Sequence, residues 1–239
     1  MIGAFLNAIG ILAGALWGLA RREPVGVRAQ DFFKWALAAF TVFYGLRLVW
    51  ESVHGTFGTC LRQILLGIVA VVLGYWVGRL LRLQRWSNRA GHHAATLLAT
   101  AQRTPPGTPA TGFVAATILF CAAPLGVLGA VADGLGDYYY LLLVKAVMDG
   151  LAMMEFVRIF RWPVALAALP VFFFFNSLAL LARAAGPWLA TRGLADPIDV
   201  AAGLVACTVV LVILGLRRVE LANYLPALMV APVLAHWLG

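Results

Sequence analysis

Long apolar stretches separated by short polar segments make up most of the chain. Each stretch has about 20 residues, enough for a helix to cross roughly 30 Å of hydrocarbon at about 1.5 Å per residue. The stretches are too long and too uniformly apolar for strands that alternate with helices. The pattern predicts an all-α, polytopic transmembrane bundle of about eight helices, at residues 2–20, 32–50, 61–81, 112–132, 138–157, 163–183, 198–216 and 221–237.

The polar segments divide this single integral membrane domain, residues 1–239, into parts. Residues 1–81 hold the first three helices and 82–111 form a loop on the predicted cytoplasmic side. The central helix pair spans 112–160, and the last three helices span 161–239. Within the loop, residues 83–102 predict a short surface helix, and the Pro- and Gly-rich residues 103–112 predict a connector.

Two of the runs carry small residues on one helical face. Such stripes let another helix approach closely in lipid, where hydrophobicity gives no drive for association. We expect them to serve packing within the chain or between copies in a homo-oligomer. The first run carries Gly10, Gly14 and Gly18, with Asn7 on the same stripe, and the third carries Gly67, Gly74 and Gly78.

A weak internal similarity relates the first and last thirds of the chain. The first run contains AFLNAIGILAGA and the sixth contains FFFNSLALLARA, and the runs that follow them end in YGLRLVWE and ILGLRRVE. The two halves cross in opposite directions, so helices 1–3 and 6–8 could form an inverted repeat around the central pair.

Composition supports the membrane assignment and indicates an orientation. The chain is 63% apolar and 12% charged, with a net charge of +8. Of its 18 basic residues, 13 fall on one predicted side and 4 on the other, which places both termini outside. The basic residues lie between apolar runs, so the partners we expect are the lipid bilayer and a small ion or polar solute, not nucleic acid.

Enzyme signatures are absent from the sequence. It has no HExxH, no GxSxG and no phosphate-binding loop, so we expect neither an enzyme nor a cofactor. His92 and His93 point to different faces of any helix, which argues against a metal site, although a metal elsewhere stays undetermined. The three cysteines are far apart and predict no disulfide framework.

Several segments resemble a known family. They are MIGAFLNAIGILAGALWGLA at the start, GFVAATILFCAAPLGVLGAVADGL, LLVKAVMDGLA and LPVFFFFNSLALLA in the middle, and NYLPALMVAPVL near the end. They resemble the YqgA/YdfK-like bacterial integral membrane proteins, which are defined by a domain of unknown function, and the similarity covers nearly the whole chain. The resemblance implies a multi-pass protein of the bacterial cytoplasmic (inner) membrane, and it implies no particular activity.

The central pair holds the charges that need an explanation. Lys145 and Asp149 are four residues apart, so they share a helical face, and they lie about 10 Å and about 16 Å below the predicted outer end. Ionisable residues at this depth are either a structural ion pair or a site for an ion, a polar solute or a proton. The outer turn with Asp133 and Asp137 would attract a cation toward them.

Other polar groups at membrane depth complete the candidate site. Thr117 lies on the same side of the fourth run as Pro124, a proline that removes a backbone donor and opens the helix. Asn7 and Asn176 are amides in apolar runs, where hydrogen bonding between helices is the alternative to a role in binding. The binding hypothesis therefore names Lys145, Asp149, Asn7, Asn176, Thr117 and Asp133.

These observations favour a transporter or channel for a small ion or polar solute, with its polar site near the bilayer midplane. The alternative is a non-transporting membrane scaffold or regulatory subunit, in which the same charges fix packing. An intramembrane enzyme is a remote third hypothesis.

Overall fold

Helices form all the regular secondary structure in the described part of the chain. The computed structural model describes residues 2–21, 25–103, 109–217 and 219–238; Arg22, Arg218 and residues 104–108 of the predicted connector lie outside these ranges. The α-helices are α1 (Ile2–Ala20), α2 (Val27–Glu51), α3 (Phe57–Leu80), α4 (Leu83–Arg103), α5 (Pro109–Ala122), α6 (Pro124–Gly136), α7 (Tyr140–Phe160), α8 (Ala168–Ala190), α9 (Ala195–Ile213) and α10 (Ala227–Leu238).

Six segments of the described chain are long and apolar enough to cross a membrane. They are Ile2–Ala20, Val27–Glu51, Phe57–Leu80, Trp162–Ala190, Ala195–Ile213 and Leu221–Leu238. The bent pair α5 and α6 is a seventh candidate if it crosses as one span. The remaining predicted run, α7, is 21 residues long but carries four charged side chains and lies at the centre of the bundle. The all-α polytopic fold is thus confirmed, and the chain is a multi-pass membrane protein.

The fourth predicted run is not one continuous helix. It was predicted as residues 112–132, but it divides at Ala123 into α5 and α6, which meet at 60°. Pro124 occupies the first turn of α6, where its missing N–H is no loss, whereas in an unbroken helix it would clash with the preceding turn. The sixth and eighth runs also begin differently from the prediction, each with a short 3₁₀ helix, at Trp162–Ala167 and Leu221–Tyr224.

The glycine stripe of α1 packs against α7. A Cβ added at Gly10 would lie 2.5 Å from the carbonyl oxygen of Ala146, and one at Gly18 would lie 2.6 Å from that of Met154. Gly14 meets Gly150 in the same way. The offset between partners is constant, so α1 and α7 run parallel with their backbones in contact.

The glycine stripe of α3 is also covered within the chain. Gly67 packs on Val200 of α9, Gly74 on Ala227 of α10, and Gly78 on Asn223 in the second 3₁₀ helix. Since both predicted stripes meet helices of the same chain, neither is free to bind a second copy. Association between copies would need another surface.

Two groups of buried apolar residues hold the bundle together. One joins α1, α5, α7 and α8 and includes Ile11, Phe120, Met153 and Phe175. The other joins α2, α3, α6, α9 and α10. Helix α7 contributes to both, because Leu142 faces the first group and neighbouring Leu141 faces the second.

The surface helix predicted at 83–102 is present as α4. Its side chains are mostly exposed where the structure describes them, and Gln84 fixes its start. The Gln84 N–H donates to Asn223 Oδ1 (3.0 Å), and Gln84 Oε1 accepts from the Ala222 N–H (3.1 Å). The helix is therefore tied to the bundle near the end of α3.

The inverted repeat stays a prediction. Under the proposed pairing, α1 corresponds to α8, α2 to α9 and α3 to α10, and each helix packs against its counterpart. The α2–α9 crossing is reciprocal: a Cβ on Gly45 would lie 2.9 Å from the Gly203 oxygen, and one on Gly203 would lie 2.5 Å from the Gly45 oxygen. Such contacts are expected near a two-fold axis, but they do not establish one.

Candidate functional site

Lys145 and Asp149 form a buried ion pair on α7. The Lys145 Nζ lies 2.7 Å from Asp149 Oδ1 and 2.6 Å from Oδ2, so the ammonium binds both carboxylate oxygens. The two residues are 1% and 6% exposed. The spacing of four residues had predicted a shared face, and the structure confirms it. Removing such a pair from water costs several kcal/mol per ion, which the mutual attraction offsets only when the geometry is good.

Asn7 of α1 is the second group bonded to this carboxylate. Its Nδ2 donates to Asp149 Oδ2 at 3.2 Å, across 142 positions of sequence. The contact depends on the glycine stripe, because a larger residue at Gly10 would hold α1 away from α7. Asn7 is completely buried, and its Oδ1 has no hydrogen-bond partner among the described residues. The amide therefore uses its donor and leaves its acceptor unused.

Aromatic rings enclose the ammonium group. The Lys145 Nζ lies 5.3 Å from the ring centroid of Phe175 on α8 and 5.9 Å from that of Phe120 on α5, distances typical of cation–π contacts. A Cβ on Gly126 of α6 would lie 2.7 Å from Lys145 Cε. A side chain at position 126 would thus displace the lysine.

The break between α5 and α6 lies beside this ion pair. Pro124 has no N–H, so the Phe120 carbonyl has no helical partner across the break. The carboxyl end of α5 carries partial negative charge and the amino end of α6 carries partial positive charge, and both ends lie at membrane depth. Transporters often place their sites at such discontinuous helices, since the ends supply polar groups without extra charges.

The other three predicted residues do not join the ion pair. Thr117 Oγ1 on α5, one turn before Cys121, is buried and has no hydrogen-bond partner in the part of the chain that the structure describes. Asn176 is half-buried beside Phe175 and makes no hydrogen bond through its side chain within the described residues. Asp133 was predicted in an exposed outer turn, and that placement is wrong. It lies inside α6 with no exposed surface, and its Oδ2 accepts a hydrogen bond from the Gly3 N–H (3.1 Å) at the start of α1.

Sequence reasoning missed three residues at the site and one buried carboxylate elsewhere. Phe120, Phe175 and Gly126 line the lysine, but four consecutive phenylalanines cover every helical face, so the sequence did not distinguish Phe175. Asp199 was assigned no role from its sequence position, yet it is only 8% exposed in α9, and its Oδ1 bonds to none of the described residues. Its spacing from Gly203 would have placed it on the buried face.

Metal-binding clusters are not found among the described residues. No three His, Cys, Asp or Glu side chains gather there in a way that could hold a metal ion. His92 and His93 are both exposed on α4.

Comparison with known proteins gives a family and no activity. Over 234 residues the chain is 26% identical to the "Uncharacterized membrane protein YdfK" of Bacillus subtilis (strain 168), covering 98% of this chain and 95% of that protein. It is 27% identical to the "Uncharacterized protein YqgA" of Escherichia coli (strain K12), covering 99% and 97%. No solved structure matches. Residues 2–236 match the family described as "Protein of unknown function (DUF554)", and the chain therefore belongs to the DUF554 family.

Proposed function

We propose that this protein is a transporter or channel that moves a small ion or polar solute across the bacterial cytoplasmic membrane, through a site at Lys145 and Asp149. The observation that carries the proposal is the buried ion pair at a broken helix, with unused polar atoms around it. The pair is almost inaccessible, which corresponds to an occluded site closed to both sides of the membrane.

Packing alone is a weaker explanation of the same residues. A buried ion pair is often no more stabilising than apolar residues of similar volume. The α1–α7 contact is already made by backbone atoms of Ala146, Gly150 and Met154 against the glycines of α1. A pair that served only packing would also give no reason for the buried Asn7 Oδ1, which bonds to none of the described residues.

The proposed orientation places both termini outside. It rests on the uneven distribution of basic residues between the two ends of the bundle. In that orientation α5 leads from the cytoplasmic side to the break, and α6 leads from the break to the outer side. We propose no catalytic residues, because the sequence carries no enzyme signature.

The test is solute movement in proteoliposomes against a panel of ions and metabolites. The wild-type protein is compared with the double variant Lys145→Met/Asp149→Leu, which removes both charges and keeps similar volumes. The matched control is Glu155→Gln/Arg158→Gln, which removes an ion pair near the end of the same helix (3.3 Å) where Glu155 is half-exposed. Thermal unfolding in detergent shows whether each variant is folded.

We expect the double variant to remain folded and to lose transport, while the control keeps it. A folded double variant with full transport would remove the pair from the mechanism. A wild-type protein that moves no solute would favour the scaffold alternative, in which the double variant keeps its stability and its cellular role.

A further inference from the structure

The Lys145 ammonium occupies the position that a bound cation would take at Asp149. It contacts both carboxylate oxygens at 2.6–2.7 Å, and within the described residues only Asn7 also bonds to this carboxylate. Lys145 thus serves as a cation that is covalently part of the protein. For any other cation to bind Asp149, this ammonium must move away or lose its charge.

Oxygen atoms for such a cation are present around the carboxylate. A half-turn of the Asn7 amide about χ2 would bring Oδ1 to the place where Nδ2 now lies. That orientation is unfavourable beside a bare carboxylate and favourable beside a cation, which accepts electron pairs from amide oxygen. The Phe120 carbonyl belongs to the last turn of α5, where Pro124 offers it no N–H. Ligands of this kind suit hard cations.

The charge of the site selects a monovalent ion. Asp149 supplies one negative charge, and the walls on the lysine side are the rings of Phe120 and Phe175. A monovalent cation leaves the closed site neutral if the lysine becomes neutral at the same time. A divalent cation would leave a net charge among apolar groups, which is strongly unfavourable.

We infer that the site exchanges an alkali-metal cation for a proton, with Lys145 as the proton carrier. This inference rests on the proposed transport function. When the cation binds Asp149 from one side, the ammonium loses its counter-charge and releases one proton to that side as it becomes a neutral amine. After release of the cation on the other side, the amine takes up one proton there and binds Asp149 again. Each cycle moves one cation one way and one proton the other.

Few other titratable groups face the pair. Cys121 on α5 is close enough to both charges to interact with them electrostatically. From α1 the neighbour is Asn7, from α6 it is Gly126, and from α8 it is Phe175. Glu155, on α7 itself, bonds to Arg158.

The test measures both halves of the exchange in proteoliposomes that carry a pH gradient. Na⁺, K⁺ and Li⁺ are added separately, and proton movement is read with a pH-sensitive dye while cation uptake is counted. We expect at least one of the three ions to dissipate the gradient in the wild-type protein. Lys145→Arg, whose guanidinium keeps its charge, should lose exchange by at least tenfold. Glu155→Gln/Arg158→Gln should exchange like the wild type.

A second readout does not require transport. Lys145→Met leaves Asp149 without its counter-charge, and the bound cation should replace it. We expect the thermal midpoint of this variant to rise by about 5 °C or more at saturating cation, as ligand binding to the folded state predicts. Lys145→Met/Asp149→Leu, which lacks the carboxylate, should show no rise, and choline chloride at equal concentration corrects for ionic strength.

The outcomes separate this inference from the function on which it rests. Reciprocal exchange lost in Lys145→Arg, together with cation-dependent stabilisation of Lys145→Met, supports it. Cation movement without proton counterflow, or unchanged exchange in Lys145→Arg, overturns the lysine's role and leaves the transport function standing. If a different solute moves and its movement requires Asp149, only the assignment of an alkali-metal cation is overturned. If no solute moves, both proposals fail.

Discussion

Replacing Gly10 with alanine should separate α1 from α7 and break the contact between Asn7 and Asp149. The added Cβ would lie 2.5 Å from the Ala146 oxygen, about 0.9 Å short of ordinary contact, which begins at 3.4 Å. The neighbouring atom is backbone, so the helices themselves must move. A shift of that size lengthens the Asn7–Asp149 bond from 3.2 Å to about 4 Å, beyond hydrogen-bonding distance.

The expected loss of stability has two parts. Overpacking of a well-packed contact costs about 1–3 kcal/mol. A hydrogen bond to a charged group contributes about 1.5–3 kcal/mol. Gly10→Ala breaks the Asn7–Asp149 hydrogen bond indirectly, and Asn7→Leu deletes the same bond directly. The loss of this bond is therefore common to both single variants. The free energy of unfolding of the double variant should therefore fall by less than the sum of the two single losses. We expect the difference to be at least about 1.5 kcal/mol.

Reversible unfolding in detergent measures these free energies, and Gly91→Ala is the matched control. Gly91 lies within α4 with no atom within 4 Å of an added Cβ, so alanine there should be neutral or stabilising by up to about 1 kcal/mol. If Gly10→Ala is tolerated as well as Gly91→Ala, or its effect adds fully to that of Asn7→Leu, the described α1–α7 contact is incorrect.

Three further predictions follow from particular residues. A membrane-impermeant maleimide added outside should label Thr56→Cys and miss Pro106→Cys, in a background without the native cysteines; the reverse pattern would refute the proposed orientation. Asp133→Ala should lower stability by about 1–3 kcal/mol by leaving the Gly3 N–H unpaired, whereas Asp133→Asn should cost less because its amide oxygen still accepts. Asp199→Leu should raise the thermal midpoint, since burying a polar group without a partner costs about 1–3 kcal/mol; a fall would mean that its carboxylate has a role.

The features that the sequence predicted well depend on short-range spacing. Helix length, the shared face of Lys145 and Asp149, and the place of Asn7 on a glycine stripe all follow from 3.6 residues per turn. The stripe also indicated that some helix would approach α1 closely. It did not indicate which one, because α7 and α3 both offer small residues and the partners are more than 100 positions apart.

The features that it predicted poorly depend on long-range contacts. Pro124 signalled a disturbed helix, but a proline in a membrane helix can cause a mild kink or a full break. Gly126, two residues later, admits the Lys145 stem where a larger residue would collide. Asp133 was placed in a turn because it directly follows the predicted run that ends at residue 132. Here the Gly3 amide satisfies it inside the bundle.

The barrier that keeps water from Asp149 on the α1 side is made of backbone contacts. Gly10, Gly14 and Gly18 lie against backbone atoms of Ala146, Gly150 and Met154, so rotation of a side chain cannot open this wall at those three contacts. Only movement of α1 along or away from α7 can do so, and the same movement withdraws Asn7 from the carboxylate. The movement that opens a path to the ion pair therefore also breaks the hydrogen bond from Asn7 to Asp149. A cation that enters by this route would meet a carboxylate bound by Lys145 alone, and this is the state in which competition for Asp149 is easiest.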